Sequence, residues 1–99
     1  MGAGQSFADR RFHLGATSIT PAAQWALLEN NVTATEYLAR HARGDWGDVS
    51  ENDRAENEFA IGKELRIWSV YHLPLTGEKI WVITEADRSR TTVLLPEDY

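Results

Sequence analysis

Glu64-Leu65-Arg66-Ile67-Trp68-Ser69-Val70-Tyr71-His72-Leu73, then Pro74-Leu75-Thr76-Gly77-Glu78, then Lys79-Ile80-Trp81-Val82-Ile83-Thr84-Glu85, is the stretch that decides the fold. In the first run Leu65, Ile67, Ser69, Tyr71 and Leu73 alternate with Arg66, Trp68, Val70 and His72, the two-residue period of a strand. The last run repeats it, with Ile80, Val82 and Thr84 set against Trp81 and Ile83. The five residues between them are rich in turn formers, so the pair predicts an antiparallel hairpin. A third strand is expected over residues 91–95, after the polar connection 86–90, and Pro96 ends it.

The half that precedes the hairpin changes period. Residues 12–19 have strand character, with Phe12, Leu14 and Ala16 on one face. Thr20-Pro21 starts a helix, because threonine caps and proline at the first position gives up no needed amide; it should run through Trp25 and Leu28 to Asn30-Asn31. Thr33 with Glu36 forms a capping box for a second helix that Gly44 stops. Ser50 with Asp53 opens a third, running to about Ala60 with Gly62 as its stop. The expected class is α+β: a helical N-terminal half packed on a three- to four-stranded antiparallel β-meander. Residues 1–11 read as a flexible N-terminal arm and 12–99 as a single domain.

Both faces of the hairpin are apolar. Trp68, Val70, Trp81 and Ile83 need one cover, and Ile67, Tyr71, Ile80 and Val82 another. Three short helices supply one. The other is left for a homodimer or partner surface, or for the arm and loops.

The chain has 99 residues, a net charge of −5, four tryptophans and no cysteine. The acidic balance argues against nucleic-acid binding, since counterion release on a phosphate backbone needs basic side chains. Absent cysteine excludes thiol catalysis, disulfides and thiolate-bound zinc, and is compatible with a cytoplasmic location. No apolar run approaches the roughly 20 residues of a membrane span. The start lacks the apolar centre of a secretory signal, and the myristoylation-like Gly2 and Ser6 match only a short, common pattern.

The densest polar chemistry lies in residues 40–57, around Gly44-Asp45-Trp46-Gly47-Asp48. His41 is a candidate general base oriented by Asp45 or Asp48, which makes these three the candidate catalytic residues. Asp45, Asp48 and Asp53, supported by His41 or Asn57, are candidates for a hard-metal site such as Mg²⁺, although their spacing is not that of a calcium loop. Against both stands a plainer role: Asp45 bracing the turn, Asp48 at a helix start and Asp53 in a cap. No nucleophile is implied, and no cofactor is expected. Trp46 is expected to pin the turn to the core, and with Trp68 and Trp81 it makes up the candidate binding aromatics. In the connection after Glu85, Asp87, Arg88 and Arg90 are candidate binding residues, with arginine forks suited to phosphate and a simple polar turn as the alternative.

Arg40-His41-x-x-Gly44-Asp45-Trp46-Gly47-Asp48, together with Trp81-Val82-Ile83-Thr84-Glu85-Ala86-Asp87-Arg88-Ser89 and Thr91-Thr92-Val93-Leu94-Leu95-Pro96-Glu97-x-Tyr99, resembles an uncharacterised family of small bacterial proteins carried on plasmids, prophages, integrons and other mobile elements. The resemblance spans residues 12–99. It implies a mobile-element accessory protein and assigns no role to any residue. Restriction-methylation labels attached to some of that group do not fit here, because the chain lacks a glycine-rich cofactor loop. The leading expectation is therefore a non-enzymatic protein that binds itself or a host or element protein. The rival is a small hydrolase or nuclease-like enzyme, metal-dependent or built on His and Asp, using the 41–53 block.

Overall fold

Thr20, Thr33 and Ser50 each start a helix in the computed structural model, which describes residues 9–99. Their hydroxyls accept the amides of Ala23 at 3.2 Å, Glu36 at 3.4 Å and Asp53 at 3.0 Å, which leads into α1 (Pro21–Glu29), α2 (Ala34–Ala42) and α3 (Glu51–Ile61). Asn31 leaves α1 and Gly44 leaves α2 in the left-handed region, at φ 57° and 89°, so the chain turns sharply at both points. No helix of the described residues is long and apolar enough to cross a membrane.

The hairpin forms as the alternation predicts. β2 (Ile67–His72) pairs antiparallel with β3 (Lys79–Thr84) in the register Ile67↔Thr84 to His72↔Lys79. β3 then pairs with β4 (Arg90–Leu94), also antiparallel. The first strand departs from expectation. β1 (Ala16–Ile19) lies parallel to β4, so the sheet runs β1-β4-β3-β2 and is mixed, not an antiparallel meander, and a strand precedes the helices. β1 is also shorter than residues 12–19. Phe12 turns away to stack on Trp46, with ring centroids 6.0 Å apart, and Gly15 takes φ 67° where a Cβ would collide with the Arg88 carbonyl. The parallel pairing is long-range, since the whole helical half and the hairpin separate β1 from β4.

One face of the sheet buries Tyr71, Ile80, Val82 and Val93 against Ala23, Ala26 and Leu27 of α1 and Tyr37 and Leu38 of α2. A second cluster joins Phe12, Trp46, Ala60 and Ile67. The opposite face receives the C-terminus. A short 3₁₀ helix, Pro96–Asp98, packs on β3, and Tyr99 lies 5.5 Å from Trp68 and 5.7 Å from Trp81 between ring centroids. Asp98 fixes this segment by accepting from the Thr20 hydroxyl at 2.6 Å and the Leu95 amide at 3.0 Å. Those two bonds hold its carboxyl below the usual carboxylate range.

Of the expected N-terminal arm, residues 1–8 lie outside the described residues. Arg11 is tied down: its amide donates to Ala42 at 2.7 Å and its guanidinium grips both Glu58 oxygens, at 2.7 and 3.0 Å.

Candidate functional site

β2 is an edge strand, and alternate residues aim their amides and carbonyls away from β3, where an edge invites a foreign strand. Residues 40–57 fill that edge. The Trp46 carbonyl accepts from the Val70 amide at 3.1 Å, and the Val70 carbonyl accepts from the Asp48 amide at 2.7 Å, so the Gly47 turn forms a one-residue parallel bridge. Two residues along, buried Asn57 does with a side chain what a strand does with its backbone. Its amide nitrogen donates to the Trp68 carbonyl at 2.8 Å, and its oxygen accepts the Trp68 amide at 3.1 Å. Asn57→Ala leaves both Trp68 groups without partners and is expected to lower stability by about 2 kcal/mol, with faster hydrogen exchange at the Trp68 amide. Urea denaturation and exchange NMR check both effects.

His41 is fully buried between α2 and the sheet. Nδ1 lies 2.6 Å from Ser69 Oγ, and Nε2 lies 2.9 Å from Thr84 Oγ1. Thr84 Oγ1 is 2.6 Å from Thr91 Oγ1, which lies 2.7 Å from the Leu14 carbonyl. A carbonyl only accepts, so Thr91 donates to Leu14 and Thr84 donates to Thr91. Thr84 then accepts from His41, which places the imidazole proton on Nε2 and makes Ser69 the donor to Nδ1. The ring is neutral and both nitrogens are used. Burial, reinforced by the charge of Arg88, pushes its pKa down from 6.5 to about 3.

The unfolded chain therefore takes up this proton at a higher pH than the folded one. The stability is fully present above pH 6.5 and is lost as pH falls toward 3. A slope of about 1.4 kcal/mol per pH unit is expected below pH 6, before the carboxylates begin to protonate. Denaturant unfolding of wild type and His41→Gln across that range checks it; the slope should be absent in the variant.

His41 thus meets neither Asp45 nor Asp48, contrary to the sequence expectation. Asp45 pairs with Arg40 at 2.7 Å and accepts the Gly47 amide at 3.3 Å, while its carbonyl takes the Tyr71 hydroxyl at 2.6 Å. Burial opposes ionisation of Asp45, but Arg40 and the Gly47 amide outweigh it and hold the carboxyl below its usual range. Asp48 does hold a histidine, but a different one: His72 Nδ1 on β2, at 2.7 Å, with both side chains exposed. The Asp53 amide serves the Ser50 cap. Asp45, Asp48 and Asp53 do not converge, and no metal-binding group of three His, Asp or Glu forms among the described residues.

Trp46 is 1% exposed and donates its indole N–H to Glu58 at 3.1 Å, so it anchors the turn and offers no binding surface. The Arg88 fork does not await phosphate. Nη1 donates to the carbonyls of Leu65, Ala86 and Glu85 at 2.7, 3.1 and 3.2 Å, and Nη2 donates to Ala60 at 2.7 Å. Ala60 belongs to the last turn of α3, where carbonyls point outward and a cation is favoured. Asp87 accepts the Ser89 amide at 3.0 Å and closes a local turn. Arg90 is exposed at the start of β4.

A groove of about 600 Å³ lies open on the sheet face opposite α1 and α2. Trp68 and Trp81 meet there edge to face at 4.6 Å, each partly exposed, beside Val70. Asp53 and Glu56 of α3 form one wall, and neither carboxylate has a basic partner within 4.0 Å among the described residues. His72 and Lys79 close one end. Arg66 lies along the groove, bonded to the Tyr99 hydroxyl and 3.7 Å from Glu85. Sequence reasoning placed Trp68 and Trp81 on this face but missed the α3 wall. It also missed Trp25 and Leu28, 69% and 54% exposed on the outer side of α1. The signal was present: α1 is apolar all round, and a helix packed on one side only must show the rest to solvent.

Compared with family models, with curated proteins and with solved structures, the chain matches none.

Proposed function

We propose that the protein is a cytoplasmic, non-enzymatic binding protein whose recognition surface is the groove over Trp68 and Trp81. The observation that carries this is the pair of partly exposed indoles beside the carboxylates of Asp53 and Glu56, which have no basic partner among the described residues. Aromatic side chains are common anchors of protein interfaces, and adjacent carboxylates favour a basic partner through charge complementarity. His41, Asp45 and Arg88, the groups best suited to chemistry, are by contrast committed to internal bonds. A basic protein of the host or of the mobile element, including one that itself binds nucleic acid, is the partner class that suits a chain of net charge −5. An array of basic, aromatic-containing peptides probed with the labelled protein tests this. Binding by wild type that Asp53→Asn/Glu56→Gln largely loses is expected; an empty array, or one unchanged by the double substitution, overturns it.

A second reading, a small His/Asp hydrolase, rests on the exposed His72–Asp48 pair at the end of the groove. A carboxylate-bound imidazole is the orienting half of a general-base arrangement. Among the described residues no hydroxyl is hydrogen-bonded to His72. Turnover of ester or phosphodiester probes that His72→Gln abolishes would favour it. No turnover by wild type, with or without Mg²⁺, removes it.

A further inference from the structure

The two edges of the sheet are treated in opposite ways. β2 is closed at Val70 by the Gly47 turn and at Trp68 by Asn57. β1, at the other edge, has β4 on one side and, among the described residues, no strand on the other. The Ala16 amide donates to Ser89 and the Thr20 amide to Val93, so even-numbered residues face β4. The alternation then turns the amides and carbonyls of Thr17 and Ile19 outward, off the free edge. Ala16-Thr17-Ser18-Ile19 carries no charge, no proline and no bulge, which are the usual devices against foreign pairing.

We infer that this edge pairs with a second copy of the same chain, β1 against β1 across a two-fold axis. With the axis at Ser18, Thr17 of each copy faces Ile19 of the other, and the two pairs exchange four backbone hydrogen bonds. That register also sets Ala16 opposite Thr20 of the second copy. Arg90 lies beside Ala16 in the sheet, and Asp98 is bonded to the Thr20 hydroxyl. The axis therefore brings a cation toward an anion at both ends of the pairing. A continuous eight-stranded sheet results, in the order β2-β3-β4-β1-β1-β4-β3-β2.

The closed β2 edges lie at its two ends and stop further growth, which makes the assembly a closed dimer instead of a filament. Each groove over Trp68 and Trp81 stays open, so the dimer presents two binding faces. This pairing stands on the β1 edge and does not depend on what the groove binds.

Light scattering coupled to size exclusion, run on the full chain from micromolar to millimolar concentration, tests the pairing. A particle of twice 11.2 kDa is expected at the upper end. Thr17→Pro removes an outward amide without touching a bond to β4, and is expected to weaken association about tenfold or more with an unchanged circular dichroism spectrum. Arg90→Glu, which sets two acids together at each end, should weaken it in the same direction should the proline variant not fold. Slow hydrogen exchange at Thr17 and Ile19 in concentrated wild type is the third expected result. A particle of 11.2 kDa at every concentration overturns the pairing. So does a dimer that neither substitution weakens, which would place the axis elsewhere, for example on the tryptophan face.

Discussion

Trp46→Ala is expected to lower stability by about 4 kcal/mol, a large fraction of the total for a domain of this size. The indole is 1% exposed, stacks on Phe12 and lies 5.9 Å edge-on from His41, so truncation empties the centre of the second core cluster. Its N–H bond to Glu58 is lost as well. The midpoint of thermal unfolding should fall by roughly 15–30 °C. Trp25→Ala is the control, because that indole is 69% exposed and its loss should move stability by no more than about 0.5 kcal/mol. Trp46→Phe should fall between them, keeping most of the buried area and losing the hydrogen bond. Equal effects at Trp46 and Trp25 would contradict the anchoring role.

Gly47→Ala is expected to cost about 3 kcal/mol, from two sources that can be separated. Gly47 sits at φ 75°, and a Cβ there would run into the Val70 carbonyl and the Tyr71 ring. Relief of that collision breaks the bridge that closes the β2 edge. Gly77 has nearly the same φ, 76°, in the hairpin turn, but open space around it. Gly77→Ala therefore reports the backbone strain alone, about 1 kcal/mol. The difference between the two variants measures how tightly the turn is pressed on β2. Denaturation curves give both values, and exchange at the Val70 amide should quicken only in Gly47→Ala.

The hairpin and the three helix starts were legible in the sequence because each is written locally. Alternation over residues 65–73 sets the strand, Thr76-Gly77 sets the turn, and Thr20, Thr33 and Ser50 act within three residues of themselves. β1 was not legible as a parallel strand. Four residues carry little pattern, and their partner lies more than seventy positions away. The polar block was legible as a turn and cap but not as an edge cover, since nothing local says that Asn57 meets Trp68 or that Asp48 meets Val70 and His72.

His41 left a signal that could have been used. It lies one turn after Tyr37 on the buried face of α2, while Ser69 and Thr84 are polar residues in otherwise apolar inward rows of β2 and β3. Polar groups placed on core faces must satisfy one another, so three of them in one small core belong together. The same logic applies to Arg88, a cation in the connection after β3 whose guanidinium is taken up by backbone carbonyls, that of Ala60 in the last turn of α3 among them, and not by a ligand.

The imidazole of His41 offers the most direct test that the polar block is internal framework. Two-dimensional ¹⁵N NMR of labelled protein, followed from pH 7.5 to 4.5, reads both its charge and its tautomer. A neutral ring with the proton on Nε2 across the whole range is predicted, while exposed His72 is observed in the same spectra as an internal comparison. A His41 ring that takes up a proton near its ordinary value of 6.5 would contradict it, because a buried ring bonded at both nitrogens by hydroxyls cannot do so in the folded protein.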